Sequence, residues 1–322
     1  MLTIDRSKKK SVRAAFGQAL VELGKVNKDV VVLDADLSCS TQTGMFSKEF
    51  PDRFFNVGIA EQDLIGTAAG LAAIGKIPFA AAFAVFNSGR NYDQIRNTVC
   101  YSGFNVKIIG THGGLTVGED GATHEALEDV SLMSHLPGMT VIVPADSNEI
   151  RAVIKFAAEY QGPMYIRIPR TNLPDVFDEN YKFDLYKAKV LKEGSDVTVV
   201  TNGEMLQEVI EASQILKEQG VDVEVIHAPV VKPFDIETVL KSAEKTNLVV
   251  TVENHMTTGG IGSIICEQLS QIIPTKVIRL GVDDSFGQSG TSEKLLDFYG
   301  LNASKLVSKI IEIKNDSIKS SN

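Results

Sequence analysis

Apolar positions change their period repeatedly along this chain. Residues 9–25 set Val12, Phe16, Ala19, Leu20 and Leu23 on one face, the pattern of an amphipathic helix. Residues 30–38 (VVVLDADLS) form instead a continuous apolar run that turns acidic, as a buried parallel strand does at its end. The alternation continues with a helix over 61–75, a strand over 77–83 and a helix over 86–103. A strand over 106–112, a helix over 124–136, a strand over 140–146, a helix over 147–160 and a strand over 163–169 complete it. The 61–75 helix is apolar on nearly every side, so it is expected inside its domain. The 147–160 helix opens on Ser147, read as its cap, with Glu149 close behind. Strands alternating with helices imply a mostly parallel sheet with helices on both faces.

Residues 173–194 are polar and weakly periodic, and they read as a linker. A second alternating set follows, from DVTVVTNG through VDVEVIHAP and NLVVTVEN to PTKVIRLGV. The expected architecture is α/β: two domains, 1–172 and 195–315, each a mostly parallel sheet flanked by helices. The tail beyond about Ile313 is expected to fray. The apolar stretch 64–86 is interrupted by Lys76 and Pro78, and it reads as a buried helix and strand rather than a membrane span.

A net charge of −9 argues against broad contact with nucleic acid or an anionic membrane, since both need a basic surface. It leaves room for a local cationic pocket. Cys39, Cys100 and Cys266 are far apart and suggest free thiols in a reducing cytoplasm, with no metal knuckle or redox pair. The start of the chain has no apolar core after its charges, unlike a secretory signal.

Four places offer chemistry. Glu61 starts the apolar 61–75 helix; burial there would favour its protonated form, while the plain alternative is a helix-start carboxylate facing the dipole in water. On the same helix, Gly66 and Gly70 permit close packing or make room for a flat ligand. Phe83 and Phe86 fall near the carboxyl end of a strand, where ligands bind in open parallel sheets and an aromatic face can stack on a heteroaromatic ring. The stretch THGGLTVGEDGATHE (111–125) is a long glycine-rich loop with His112, Glu119, Asp120 and His124. It has neither a P-loop nor a dinucleotide fingerprint, and its histidines lack standard metal-ligand spacing, so polar contact with a hydroxylated or phosphorylated substrate fits better. Arg13 reads as a helix-surface charge, and Arg90, Arg167 and Arg170 stand near element ends; each is a solvated charge by default and a phosphate clamp by chemistry.

DADLS, FNVGIAEQ, GLAAIGKIPFAAAFAVF, GTHGGLTVGEDGATHEALED, LPGMTVIVPAD and IRIPRTNLP follow one another in the order and spacing found in transketolases. The chain resembles that thiamine-diphosphate family from about Arg13 through Pro174, and more weakly beyond, through VENH and GGIGS. Nothing matches the diphosphate-binding domain that comes first in a full transketolase. The resemblance therefore implies the C-terminal subunit of a split enzyme. Thiamine diphosphate would be shared with a separate N-terminal subunit that binds most of the Mg²⁺, in a heterotetramer acting on sugar phosphates.

The resemblance also assigns roles. Glu61 matches the glutamate that hydrogen-bonds the cofactor's pyrimidine N1′, and Phe83 and Phe86 match the aromatic wall around that ring. Asp36 matches an acidic residue at the cofactor interface. His112 and His124 match catalytic histidines that contact substrate hydroxyls and carbonyl. Asp120 matches the aspartate that reads a donor hydroxyl, and Arg13, Ser40 and Arg170 match groups around the sugar phosphate. Two departures stand out: AEQ at 60–62, where REH is common, and Gly89 in place of a third aromatic. The AEQ form and Arg90–Gln94 are similar to 1-deoxyxylulose-5-phosphate synthase. The β subunit of 2-oxoacid dehydrogenases shares the domain order but not the histidine pattern, and a non-catalytic scaffold relative is a third reading.

Overall fold

The computed structural model describes residues 4–319. In the first half the strands are β1 (Lys9–Ser11), β2 (Val30–Asp34), β3 (Phe54–Asn56), β4 (Ile77–Phe83), β5 (Lys107–Thr111), β6 (Thr140–Ile142), β7 (Met164–Ile168) and β8 (Asn172–Pro174). The second half adds β9 (Lys189–Lys192), β10 (Val197–Thr201), β11 (Val223–His227), β12 (Val230–Lys232), β13 (Leu248–Met256) and β14 (Lys276–Val282). A seven-stranded sheet runs β12-β6-β7-β5-β4-β2-β3 and a five-stranded sheet β14-β13-β10-β11-β9. Within these two sheets the pairings are parallel except those of the edge strands β12 and β9, while β1 and β8 form a separate antiparallel ribbon, so the α/β reading of two mostly parallel sheets holds. The strands β2, β4, β5 and β7 are buried almost throughout, which explains why they read as continuous apolar runs rather than alternating ones.

The two halves are joined more closely than the sequence pattern implies. Strand β12 leaves the second half to pair antiparallel with β6 at the edge of the first sheet. One apolar cluster contains Leu33, Ala80 and Ile108 of the first sheet together with Val200, Ile226 and Val249 of the second. The stretch read as a linker contains β8 and β9, each paired.

Several elements differ from expectation. The 86–103 segment is split into a short helix, Ala84–Gly89, and a wider π turn, Gln94–Cys100. The 124–136 helix is cut to Asp129–Ser134, because residues 121–128 belong to a loop held by tertiary contacts. The cap of helix Ser147–Glu159 is Asp146, whose side chain accepts the Glu149 N–H at 2.8 Å. Helix Glu61–Ala73 is open on one face, where Gln62, Asp63, Gly66 and Gly70 are exposed and no atom lies within 4 Å of a Cβ built at either glycine. The tail is helical from Ala303 through Lys319 rather than frayed from Ile313, and its last three residues lie outside the described ones. No helix among the described residues is long and apolar enough to cross a membrane.

Candidate active site

Chain order reverses in the first sheet where β2 neighbours β4: β3 lies to one side, and β5, β7 and β6 to the other. Ligands bind at such switch points, beyond the carboxyl ends of the strands. Phe83 ends β4, His112 follows β5, and Asp36 and Ser40 follow β2. The two-stranded ribbon of β1 and β8 adds two guanidiniums. Its register pairs Ser11 with Asn172, so Arg13 and Arg170 emerge from the same end.

The rings form one wall. Phe83 stacks on His112 at 3.8 Å between centroids and on Phe86 at 5.9 Å. His124 meets the edges of both, 6.2 Å from Phe83 and 5.3 Å from Phe86. Arg90 closes the other side. Its guanidinium lies over Phe86, 4.2 Å from the ring centroid, and donates to both Glu61 oxygens at 3.0 and 3.2 Å. Glu61 is buried as expected, but a cation faces it where apolar surroundings were expected.

His112 has a left-handed backbone, φ 58°, a conformation that costs free energy and persists only where the surroundings enforce it. Arg13 Nη1 lies 3.4 Å from its Nε2, and since arginine can only donate, Nε2 accepts. That assigns the proton to Nδ1, which donates to Thr111 Oγ1 at 3.0 Å; the Thr111 hydroxyl donates in turn to Ala82 O. Burial, and then the charges of Arg13, Arg170 and His124, push the imidazole down to about 3. His112 is thus a neutral group near pH 7, with an accepting Nε2 beside two cations. Arg13 also donates to the Ser40 carbonyl at 2.7 Å, and its Nε is buried without a partner. Burial and the neighbouring Arg170 charge lower its proton affinity, which marks a cationic pocket suited to an anion. Arg170 is held by Glu119 at 3.0 Å and by the Val117 carbonyl.

The structure therefore gathers Arg13, Ser40, Glu61, Phe83, Phe86, His112, His124 and Arg170 along one sheet edge. Asp36 and Asp120 are exposed, and no hydrogen bond among the described residues links either to this cluster. Asp36 instead pairs with Asn56 across a left-handed turn, φ 63°. Among the described residues no group of three or more histidine, cysteine or carboxylate side chains could hold a metal ion.

Some functional neighbours escaped the sequence reading. Asn87 and Asn91 are fully buried. Asn87 donates to Ala80 O and Ile109 O at 3.0 and 2.9 Å, which ties the Phe86 helix to β4 and β5. Asn91 donates to Asn87 and to the Glu61 carbonyl, so it fixes where Glu61 starts its helix. Two amides one helical turn apart in a buried segment were the available signal. Asp34, buried at the end of β2, accepts from Thr41, Thr43 and the Leu37 N–H and so shapes the turn that carries Ser40.

Comparison with known proteins settles the family. The transketolase pyrimidine-binding domain family matches residues 8–176, and the transketolase C-terminal domain family matches residues 186–306. This chain belongs to the transketolase family. It is 46% identical over 306 residues to a putative transketolase C-terminal section of Methanocaldococcus jannaschii, covering 94% of this chain and 96% of that one. It is 42% identical to a 6-deoxy-6-sulfo-D-fructose transketolase subunit of Clostridium sp., covering 94% of each. A solved split-gene transketolase, described as an inactive β4 tetramer, superposes with a TM-score of 0.87 at 49% identity, covering 94% of this chain and 97% of that one. The transketolase resemblance read from the motifs, including its split-gene form, thus holds.

Proposed function

We propose that the chain is the catalytic C-terminal subunit of a split, thiamine-diphosphate-dependent transketolase that moves a two-carbon ketol unit between sugar phosphates. The observation that carries this reading is the grouping of a buried carboxylate, a stacked aromatic wall and a neutral histidine beside two arginines on one sheet edge. When bound, thiamine diphosphate would supply the electron sink for cleaving a carbon–carbon bond next to a carbonyl. The residues present fit its pyrimidine half. A planar N–H donor, the Arg90 guanidinium, already fits against the Phe86 ring while donating to the Glu61 carboxylate. Glu61, Phe83 and Phe86 would hold the ring, and Asp36 would lie at the cofactor interface.

His112 and His124 would face the substrate. Neutral His112 presents its Nε2 as an acceptor for a sugar hydroxyl, held at that tautomer by Thr111. Arg13 and Arg170, with the Ser40 turn, would take the phosphate, and Asp120 would read a donor hydroxyl from the loop tip. The diphosphate and Mg²⁺ would sit mainly on the N-terminal partner subunit. The open face of helix Glu61–Ala73, with Gly66 and Gly70 along it and exposed Ile59 and Ile74 at its ends, suits packing against that partner. The inactivity of the β4 assembly of the similar split-gene protein supports dependence on the partner, and a heterotetrameric holoenzyme is part of this reading.

The test is co-purification with the N-terminal subunit followed by assay with xylulose 5-phosphate and ribose 5-phosphate. Turnover by the complex and none by the isolated chain is the expected result. Turnover by the pure chain would end the split-enzyme reading. A complex that consumes pyruvate with glyceraldehyde 3-phosphate and ignores xylulose 5-phosphate would favour deoxyxylulose-phosphate synthesis, the reading suggested by AEQ at 60–62 and by Arg90–Gln94.

A further inference from the structure

The glycine-rich loop that carries Asp120 and His124 is held largely from the other half of the molecule. Its two feet are tied to each other by the Gly114 N–H on the Ala126 carbonyl at 2.9 Å. Arg167 then donates to Ala126 O at 2.8 Å and to the Asn254 carbonyl at 2.9 Å, linking that foot to the end of β13. The Asn254 side-chain carbonyl accepts the Leu115 N–H at 2.9 Å. Gly114, at φ 80°, leaves the Asn254 amide the space that a Cβ would fill. Near the tip, the Ser292 hydroxyl donates to Thr116 O at 3.0 Å.

Glu204 lies at the centre of these contacts. It follows β10 in the second half and is only 9% exposed. One oxygen accepts from Thr116 Oγ1 and from Asn254 Nδ2, both at 2.6 Å. The other accepts from Thr171 Oγ1 at 2.8 Å. Thr116 belongs to the loop, and Thr171 follows Arg170 directly. A single buried carboxylate thus holds the histidine loop and the arginine segment in fixed relation to each other. Burial raises its proton affinity, while the Thr116, Asn254 and Thr171 hydrogen bonds oppose that rise. Such a group is costly to bury and stays buried only when its partners are in place.

We propose that Glu204 is a positioning residue for sugar-phosphate binding: from the second domain it sets the 113–126 loop against Arg170, and it touches neither substrate nor cofactor. The proposal rests on the reading of His124, Asp120 and Arg170 as substrate groups. Glu61, Phe83 and Phe86 stand on other elements that Glu204 does not touch, and the loop meets the aromatic wall only at the ring edges of His124, so its effect falls chiefly on the substrate side of the site.

Glu204→Ala and Glu204→Gln in the complex with the N-terminal subunit separate these roles. Glutamine can keep its oxygen on Thr116 and Asn254 and donate to a rotated Thr171 hydroxyl. Glu204→Ala should raise the donor KM by about 10–100-fold, the scale of an ångström-level misplacement, and leave the affinity for thiamine diphosphate unchanged. Glu204→Gln should stay within a few-fold of wild type. In the full chain, amide hydrogen exchange of residues 113–121 should quicken in the alanine variant and not in the glutamine one. Wild-type loop exchange with an unchanged KM in Glu204→Ala would overturn the proposal, and so would parallel loss of substrate and cofactor affinity. If the wild-type complex transfers no ketol unit, the functional reading fails instead, and the exchange experiment still decides whether Glu204 holds the loop.

Discussion

The two sheets end alike and are used differently. At the carboxyl edge of the first, Phe83 and His112 stack, Arg13 lies against the His112 ring, and Arg13 Nε is buried without a partner. At the carboxyl edge of the second, Glu204, His227, Glu253 and Asn254 are all buried, and each is hydrogen-bonded within the protein, His227 through its Nε2 alone. Glu253 accepts the Ile261 and Gly262 N–H groups, Asn254 holds the loop of the first half, and His227 pairs with Glu149 of the first half. The position that binds ligands in an open α/β sheet has here become a clamp. The proposed site thus lies on one edge and a support on the other, and what marks the second edge is that its polar groups reach across to the first half of the chain.

The sharpest way to break this contrast is Glu61→Gln. The glutamine keeps size and much of the hydrogen bonding but loses the acid. In the reconstituted complex, exchange of the cofactor C2 proton should slow by about 10²–10⁴-fold, the usual worth of acid–base help, with assembly intact. Quenched exchange read by NMR measures it. A wild-type rate in a complex that still binds cofactor would make Glu61 a structural residue paired with Arg90, and the first edge would then resemble the second.

What the sequence revealed follows the same division. The central strands were legible because burial on both faces makes them continuous apolar runs, and Glu61, Phe83 and the loop histidines because they stand at strand or helix ends. Strand β12 was not, since three residues, Val230–Lys232, are too few to show a period and owe their place to β6. The helix expected over 124–136 starts only at Asp129, because Arg167 and Asn254, both distant in sequence, hold the loop open. Glu204 carried no signal at all: its partners Thr116, Thr171 and Asn254 lie far from it along the chain, and local pattern says nothing of them.

The clamp has its own test. Glu149 is fully buried between the halves. Burial pushes its carboxyl up, but His227 at 2.8 Å, Tyr181 at 2.7 Å and the Ala145 N–H hold it below the ordinary range. His227→Ala leaves that buried carboxylate without one of its hydrogen-bond donors and should cost about 3 kcal/mol of stability. Chemical denaturation of the full chain measures this, and a loss under about 1 kcal/mol would mean the pair does not join the halves. Cofactor-dependent chemistry in the surviving folded fraction should be unchanged, the opposite of the Glu61 outcome. Arg13→Ala should act on the open edge again, raising the donor KM by about 10–100-fold through loss of a phosphate contact. A ketose without phosphate should be indifferent to it, and equal losses for both donors would remove Arg13 from the phosphate site.

The smallest effect is expected where the two regions meet, at Glu125 beside His124. Its side chain is 3% exposed, and neither oxygen has a hydrogen-bond partner. The backbone of Gly287, from the second half, lies directly against the carboxyl. Burial pushes this group from 4.5 up to about 7. The sign follows from linkage. Below about 4.5 both folded and unfolded chains carry the proton, and burial of the neutral acid contributes its full stability. As pH rises towards about 7 the unfolded carboxyl ionises freely while the folded one resists, so stability falls across that window and levels off above it. Asp146, raised to about 6, and Glu253, raised to about 7, bend the curve in the same sense but are common to wild type and variant. The difference between wild type and Glu125→Gln therefore isolates Glu125. At pH 8 the glutamine variant should melt higher relative to wild type than it does at pH 4, by about 2–4 °C, the shift that ~1 kcal/mol gives in a domain of this size. A difference in melting temperature that does not change between pH 4 and pH 8 would show that Glu125 is hydrated where the halves meet, and that the clamp is open at that point.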